Sequence, residues 1–367
     1  MNKMIVANLV HRPVRSLISI LAIAIEVTLI LTIVGLSVGM LSDAKERQRG
    51  IGADVIVQPP GSSFLAGISG APVSQKVADV IARQPHVAAV APVIWQLNTG
   101  GRLEVIYGID LPSYQALGGE FNYLSGGPFQ QPNDVLVDDY FASSTGAKVG
   151  DTIEILNHNA RIAGIVEHGK GARKFVQMKT LQEWIGAEGK ASVFYVKADD
   201  PKNADAIIAG IRKIPGMEQY TMRSMEQYMT MMTATNMPGL STFINVVIGV
   251  AVVIGFIVIF QAMYTAVMER TREIGILKSL GASKFYIVNV IMRETLLLTI
   301  VGIALGIAIS YAATAGIHAK FPLLPVIITR EWLIAGTIIA IIGSLLGAIY
   351  PAIKAAQKDP IDALAYE

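Results

Sequence analysis

The chain has 367 residues, of which 52% are hydrophobic and 16% charged, with a mean hydropathy of +0.50 and a formal net charge of +2. Soluble domains carry about 25% charged residues, so a single ordinary soluble core is excluded, and a charge this close to zero leaves no nucleic-acid footprint. Cysteine is absent, which removes disulfides, thiolate metal sites and cysteine nucleophiles together.

In chain order, residues 1–16 carry Lys3, Arg12 and Arg15 and predict a short amphipathic helix at the cytoplasmic interface, with Pro13 ahead of the membrane entry. Residues 17–41 are apolar except for Glu26 and predict a first transmembrane helix. The run exceeds the roughly 7–15 residues of a signal-peptide core and no A-x-A-like site comes after it, so it reads as a retained anchor. Residues 42–239 read as one folded α/β domain. Strand-like runs fall at 54–57, 87–97, 103–109, 134–137, 152–156, 161–166 and 192–196, and helices at 74–83, 181–185 and 203–213. Gly100-Gly101 and His158-Asn159 are the expected hairpin turns.

Residues 240–268, 295–317 and 332–353 contain no charged side chain and supply three more spans. At about 1.5 Å per residue each covers a hydrocarbon core of roughly 30 Å, and lipid leaves the backbone no partner outside its own helix. The intervening segments are 269–294, 318–331 and the tail 354–367. Basic residues concentrate in the first (Arg270, Arg272, Lys278, Lys284, Arg293) and in the tail (Lys354, Lys358), whereas 318–331 has only Lys320 and Arg330. The distribution of positive charge therefore puts the N-terminus, 269–294 and the C-terminus in the cytoplasm, and 42–239 outside.

The segment ERTREIGILKSLGAS, residues 269–283, sets Ile274, Leu277 and Leu280 at helical spacing among charges, with Gly281 as a stop. By spacing alone it fits equally a solvated turn that keeps positive charge inside. The tail contains YPAIKAAQKDPIDAL, residues 350–364, where Pro351 is expected to kink the fourth helix. At these residues the chain resembles the MacB/LolC/FtsX group of ABC transporter permeases. The resemblance is carried by E-R-x-x-E-I-G at 269–275 with its K-S-L-G-A continuation to 282, and by P-A-x-x-A-A-x-x-D-P-x-x-A-L at 351–364. GADVIV at 52–57 and VLVDDYFASSTGAKVGDTI at 135–153 are similar to the MacB-type periplasmic domain.

The resemblance implies an α-helical protein of the bacterial inner membrane with four transmembrane helices and an α/β extracytoplasmic domain inserted between the first and second. Two permease copies, expected as a homodimer, would sit on a cytoplasmic ABC ATPase dimer that binds ATP and Mg, the chain itself holding no cofactor. Glu269, Arg270, Glu273, Ile274, Gly275, Leu277, Lys278, Leu280 and Gly281 would form the coupling helix that docks on that ATPase. ATP-driven motion would pass to the external domain for export or extraction of a hydrophobic, lipidic or peptide substrate, with a periplasmic adaptor and an outer-membrane channel as further partners. No nucleotide-binding domain precedes the first span, so the ATPase is expected on a separate chain. The alternative within the resemblance is an FtsX-like signalling scaffold that activates a periplasmic partner without transport.

The remaining constellations are weighed on their own chemistry. Glu26 is the one charge inside a span, a functional candidate because burying a carboxylate in lipid is costly, and equally a hydrogen-bonded structural glutamate. Gly35/Gly39, Gly302/Gly306 and Gly343/Gly347 permit close helix approach, with the first pair a candidate dimer contact. Met217, Met222, Met225, Met229, Met231, Met232 and Met237 make up seven of the 14 methionines. Met225, Met229 and Met232 fall on one helical stripe that suits adaptable apolar packing or contact with a hydrophobic substrate, and thioethers also suit Cu(I). Gly164-x4-Gly169-Lys170 matches most of a phosphate-binding loop, but Gly171 stands where Ser or Thr would hold magnesium, so it reads as a glycine turn. The five histidines are scattered, Glu167-His168 would point to opposite strand faces, and no hydrolase or zinc spacing occurs. No catalytic or metal residue is therefore assigned.

Overall fold

A computed structural model of the chain describes residues 13–62, 71–98, 104–233, 236–321 and 323–358. The expected interfacial helix at 1–16, apart from its last residues, lies outside them, as do Gly100-Gly101 and the tail beyond 358. In chain order the elements are α1 (Pro13–Gly50), β1 (Val55–Gln58), β2 (Val73–Ser74), α2 (Val77–Ala82), β3 (Val87–Asn98), β4 (Glu104–Ile109), α3 (Leu111–Gly118) and β5 (Tyr123–Gly126). They continue with β6 (Asp134–Asp138), α4 (Asp139–Thr145), β7 (Thr152–Ile155), β8 (His158–Val166), β9 (Lys174–Gln177), α5 (Met178–Trp184), β10 (Lys190–Ala191) and β11 (Val193–Ala198). Last come α6 (Ala204–Arg212), β12 (Thr221–Ser224), α7 (Met225–Met231), α8 (Pro238–Glu269), α9 (Thr271–Ser279), α10 (Lys284–Lys320) and α11 (Arg330–Gln357).

Two compact units result, one of residues 1–39, 239–320 and 326–367, the other of residues 40–238 and 321–325. In the second, ten strands form one sheet ordered β12-β1-β11-β3-β4-β9-β6-β8-β5, with β7 on β8. β4–β9 and β6–β8 pair in parallel and the other pairs are antiparallel. Both faces are covered, which is why β1, β6 and β11 are apolar almost throughout rather than alternating. One face carries an aliphatic core of Val55, Val57, Ile94, Ile106, Leu181, Phe194 and Ile207. The other is aromatic, with Tyr107, Tyr114, Phe121, Phe175, Tyr195 and Tyr228 packed around Ile51 and Ile56. Successive residues of β11 (Phe194, Tyr195, Val196) alternate between the two.

The hairpin expected at His158-Asn159 turns two positions earlier. Leu156 and Asn157 hold positive φ (50° and 63°) and Ile155 pairs with His158, the geometry of a two-residue primed turn. His158 is instead a strand residue, stacked on Trp184 with centroids 4.7 Å apart. Helices α3, α4 and α7 and strands β5, β9 and β12 add to the elements expected from sequence.

In the first unit, α1, α8, α10 and α11 are each long and apolar enough to cross a membrane. α8 begins and ends within two residues of the predicted span 240–268, α10 starts at Lys284, eleven residues ahead of the predicted 295, and ends at Lys320, and α11 runs on through Pro351 to Gln357. Their core is Ile23, Val27 and Leu31 of α1, Ile259 and Met263 of α8, Leu298 and Ile303 of α10, and a line of alanines on α11. Glycine sets the spacing: a side chain at 302 would meet Ile23 at 2.7 Å and one at 306 would meet the Ala24 carbonyl oxygen at 2.8 Å. Thr28 Oγ1 donates to the Gly306 carbonyl across the same contact (3.1 Å). Gly35, expected as a dimer contact, is occupied within the chain: Ile327 N–H donates to its carbonyl at 2.9 Å, and Val326 lies where a side chain would start.

Candidate functional site

The segment between α8 and α10 is a short helix held from within. α8 ends at Glu269, Arg270 leaves helical geometry (φ −106°, ψ 18°), and α9 starts at Thr271. The Arg270 guanidinium donates to the Glu294 carboxylate of α10 (3.0 Å), with 12% and 4% of the two side chains exposed. A pair so buried forfeits hydration on both sides and is costly to half-remove. At the other end, Lys278 Nζ donates to the Ala356 carbonyl (3.0 Å) and to that of Lys358. An ammonium there satisfies the free carbonyls at the C-terminus of α11 and meets its negative dipole end. Gly281 (φ 94°) closes α9, with Ala282 N–H on the Leu277 carbonyl (2.9 Å) and Gly281 N–H on that of Lys278 (3.0 Å), a Schellman cap.

These contacts divide the residues expected to dock on an ATPase. Thr271 and Gly275 are buried, Ile274 packs on the helix core, and Leu277 is half-buried beside Met263, Ile274 and Ile291 around a small cavity. Arg272 and Glu273 are exposed, and so are Ile276 (44%) and Leu280 (80%). Past the Gly281 turn, Phe285 is 76% exposed. The outward apolar groups are thus Ile276, Leu280 and Phe285, of which the sequence pattern singled out only Leu280. The missed signal was the helical period itself: residues 271, 274, 275 and 278 share one side, and 272, 276 and 280 the other.

Glu26 is buried, with only 3% of it exposed, and its carboxylate lies between two glycines of other helices. A side chain at Gly255 of α8 would collide with Glu26 Oε2, and one at Gly343 of α11 would begin 3.8 Å from Oε1. Oε1 has no hydrogen-bond partner among the described residues.

Within the domain, Met217 and Met222 belong to the aliphatic core and Met225 to the aromatic one, with Met229 and Met232 half-buried against the latter. Met225 and Met229 line a cleft of about 560 Å³ together with Arg49, Asp54, Lys197 and Glu226. Among the described residues no group of three or more His, Asp or Glu is placed to hold a metal ion. The glycine segment 164–171 spends its lysine internally: Lys170 Nζ donates to the Gly118 (2.7 Å) and Gly119 (3.1 Å) carbonyls. Glu167 accepts from Asn122 (2.8 Å), while His168 Nδ1 faces Asp139 (3.1 Å) and its ring stacks on Tyr140.

Two known families between them cover most of the chain. The MacB-like periplasmic core domain family matches residues 16–214 and the FtsX-like permease C-terminal family residues 245–360. An uncharacterized ABC transporter permease of Bacillus subtilis, YknZ, is 29% identical over 225 residues, 59% of this chain and 55% of that one. The macrolide export ATP-binding/permease protein MacB of Neisseria gonorrhoeae is 25% identical over 396 aligned positions, 98% of this chain and 60% of the relative. The chain thus spans between half and two thirds of the length of these relatives. The periplasmic region of MacB from Actinobacillus actinomycetemcomitans aligns over 49% of this chain and 92% of that one, at 16% identity and a TM-score of 0.38. Because one family covers more than half of the chain and the other most of the remainder, the protein belongs to the MacB-like, FtsX-type family of ABC transporter permeases.

Proposed function

We propose that the chain is a permease subunit that converts ATP hydrolysis by a cytoplasmic ABC ATPase into movement of its α/β domain, exporting or extracting a hydrophobic, lipidic or peptide substrate. The observation that carries this reading is α9. It is fixed on its inner side by Arg270–Glu294 and by Lys278 on the α11 carbonyls, and it presents Ile276 and Leu280, with Phe285 beyond the turn, outward. Apolar side chains exposed together among charges support a protein-docking role for α9. The ATPase supplies ATP, Mg and the hydrolytic chemistry, and this chain supplies no catalytic group. Two copies of the chain sit on two ATPase subunits with both termini and α9 in the cytoplasm and the domain on the periplasmic side, where an adaptor and an outer-membrane channel complete the route. The names of the relatives add macrolides to the substrates worth testing.

The test is purification of the chain with its candidate ATPase in nanodiscs, then ATPase assays with lipids, lipoproteins and macrolides. Leu280→Asp and Phe285→Asp are expected to abolish co-purification of the ATPase while the chain stays inserted. Unchanged co-purification of both variants would overturn the docking assignment. Stimulation by a cell-wall hydrolase and by no transported compound would move the reading to the signalling scaffold. Labelling of single cysteines in α9 from the outer face alone would reverse the orientation and remove the reading entirely.

A further inference from the structure

The glycine segment that resembles a phosphate loop has a different use in the structure. The last turns of α1 carry Asp43, Arg47, Gln48 and Gly50, beyond the apolar run, and these residues with all their partners lie within the domain unit. Residues 169–173 form one wall of a socket. A side chain at Gly50 would collide with the Gly169 carbonyl, Gly171 N–H donates to the Arg47 carbonyl (2.8 Å), and Gly169 and Gly171 hold φ of 101° and 92°. The opposite wall is the end of α3, where a side chain at Gly118 would meet the Ile51 carbonyl oxygen at 2.5 Å. Lys170 ties the walls together through its bonds to Gly118 and Gly119, and Tyr114 Oη donates to the Lys170 carbonyl (2.8 Å).

Two polar anchors then fix the helix in rotation. Arg173 bridges Asp43 of α1 (3.0 Å) and the buried Asp138 at the end of β6 (3.1 Å), and Asp43 also pairs with Arg47. A guanidinium makes such a two-carboxylate bridge with fixed geometry, which an ammonium cannot. On the other side Gln48 Nε2 donates to Tyr107 Oη (3.1 Å) and Tyr195 Oη donates to Gln48 Oε1 (3.2 Å), joining α1 to β4 and β11. A helix gripped by backbone contacts on two walls and by side chains on two strands has no free rotation or slide against the sheet.

We propose that segment 169–173, with Arg173 and Gln48 as its positioning residues, is the joint through which displacement of the first membrane helix is delivered to the whole sheet as rigid-body movement. Its mechanical use rests on the transporter reading above; its rigidity does not. The chain has no native cysteine, so spin labels can be placed at Glu46→Cys and Lys179→Cys, both exposed positions, in the full chain in nanodiscs. A control pair at Lys76→Cys and Lys179→Cys lies wholly outside the joint. The 46–179 distance distribution is expected to be narrow in the parent, broad in Arg173→Ala, intermediate in Arg173→Lys and mildly broadened in Gln48→Leu, with the 76–179 control narrow throughout. A 46–179 distribution in Arg173→Ala as narrow as the parent's overturns the joint. If Arg173→Ala also broadens the control, the domain has been damaged and Gln48→Leu decides: broadening of 46–179 alone supports the joint, and no broadening overturns it. With the ATPase added, the loosened variant is expected to keep basal hydrolysis and lose substrate stimulation, which a merely structural role would not separate. A parent that shows a narrow 46–179 distance but no response to ATP would refute the transporter reading and leave the joint standing.

Discussion

The two units differ in how completely they satisfy buried polar groups, although the helical unit also holds the paired Arg270 and Glu294. In the domain, buried charges are answered in full: Asp134 accepts from Gln130 and Gln131 N–H (2.6 and 2.8 Å) and from the Arg161 guanidinium (2.9 and 3.0 Å), and Asp138 accepts from Phe141 N–H (2.7 Å) and Arg173. In the helical unit, Ser19, Glu26, Thr32 and Ser344 each leave a buried oxygen without a partner, whereas Tyr123 alone does so in the domain, among the described residues. The difference follows from what each solvent demands. A water-facing domain gains its core by the hydrophobic effect and then must repay every polar group it buries. A membrane bundle already has its backbone satisfied inside each helix, so its association depends on close contact of small residues. Order in the domain should therefore be broken by removing a polar partner, and order in the bundle by adding a carbon atom.

The largest stability effect is expected at Asp134. Asp134→Ala strands two backbone N–H groups and a guanidinium, and should cost about 3 kcal/mol, the low end for a broken buried pair because Arg161 remains partly exposed. Burial works against the ionised Asp134 carboxyl, but the two backbone N–H groups and Arg161 outweigh it and hold the group below the usual carboxylate range. A carboxyl depressed in the folded state contributes stability above its unfolded value, near pH 4, and loses it as pH falls through the folded one. The deficit of Asp134→Asn relative to the parent should accordingly shrink as pH is lowered below about 4. Thermal unfolding followed by Trp95 and Trp184 fluorescence in a Trp332→Phe background measures it. A deficit independent of pH would mean that the ion pair is not what stabilises this corner.

Next in size is a glycine of the bundle. A side chain at Gly347 of α11 would lie 2.9 Å from the Phe256 carbonyl oxygen of α8, so Gly347→Leu forces two helices apart and should cost about 1–3 kcal/mol, the usual range for overpacking. Gly316 has open space around it, and Gly316→Leu should be neutral or gain slightly from helix propensity. Thermal unfolding of the full chain in detergent compares the two. Equal effects would show that helix contact at 347 is not tight.

The elements legible in the sequence are those whose signal is local. The spans show as long apolar runs interrupted by a charge only at Glu26, and β1, β3, β4, β6, β7, β8 and β11 as β-branched runs, because both depend only on neighbours along the chain. The helices that stay hidden are short, and their signal lies in caps rather than periodicity: Asp110 accepts from Ser113 N–H (3.2 Å), Asp138 from Phe141 N–H and Ser224 from Gln227 N–H (3.2 Å). Each shows in sequence as Asp or Ser ahead of a seven- or eight-residue segment. The hairpin turns two positions earlier because Leu156 takes a positive φ that its side chain disfavours, and only the pairing of β7 with β8 fixes it there. At α9 the motif locates the helix, but which side faces outward depends on Glu294 and Ala356, 24 and 78 residues from their partners, and no local pattern carries that. The stripe Met225, Met229, Met232 is likewise visible as a helical face, while its use as packing on the aromatic core requires β1 and β11 beside it.

The smallest and most discriminating expectation concerns Glu26, the one place where the two regimes meet: a carboxylate inside the bundle, accommodated by missing carbon rather than by partners. Glu26→Gln keeps the shape and breaks no hydrogen bond at Oε1 among the described residues, so its effect on unfolding in detergent should stay within about 1 kcal/mol, the size of a single net hydrogen bond. Gly255→Ala puts a methyl group into the carboxylate and should destabilise by about 1 kcal/mol or more, despite the higher helix propensity of alanine. Made in a Glu26→Ala background, the same Gly255→Ala has nothing to strike and should become neutral or stabilising. The sign change across this double-mutant cycle is the signature of space kept open for the carboxylate. If the two substitutions add without coupling, Gly255 is there for another neighbour, and the glycines at 255 and 343 lose their connection to Glu26.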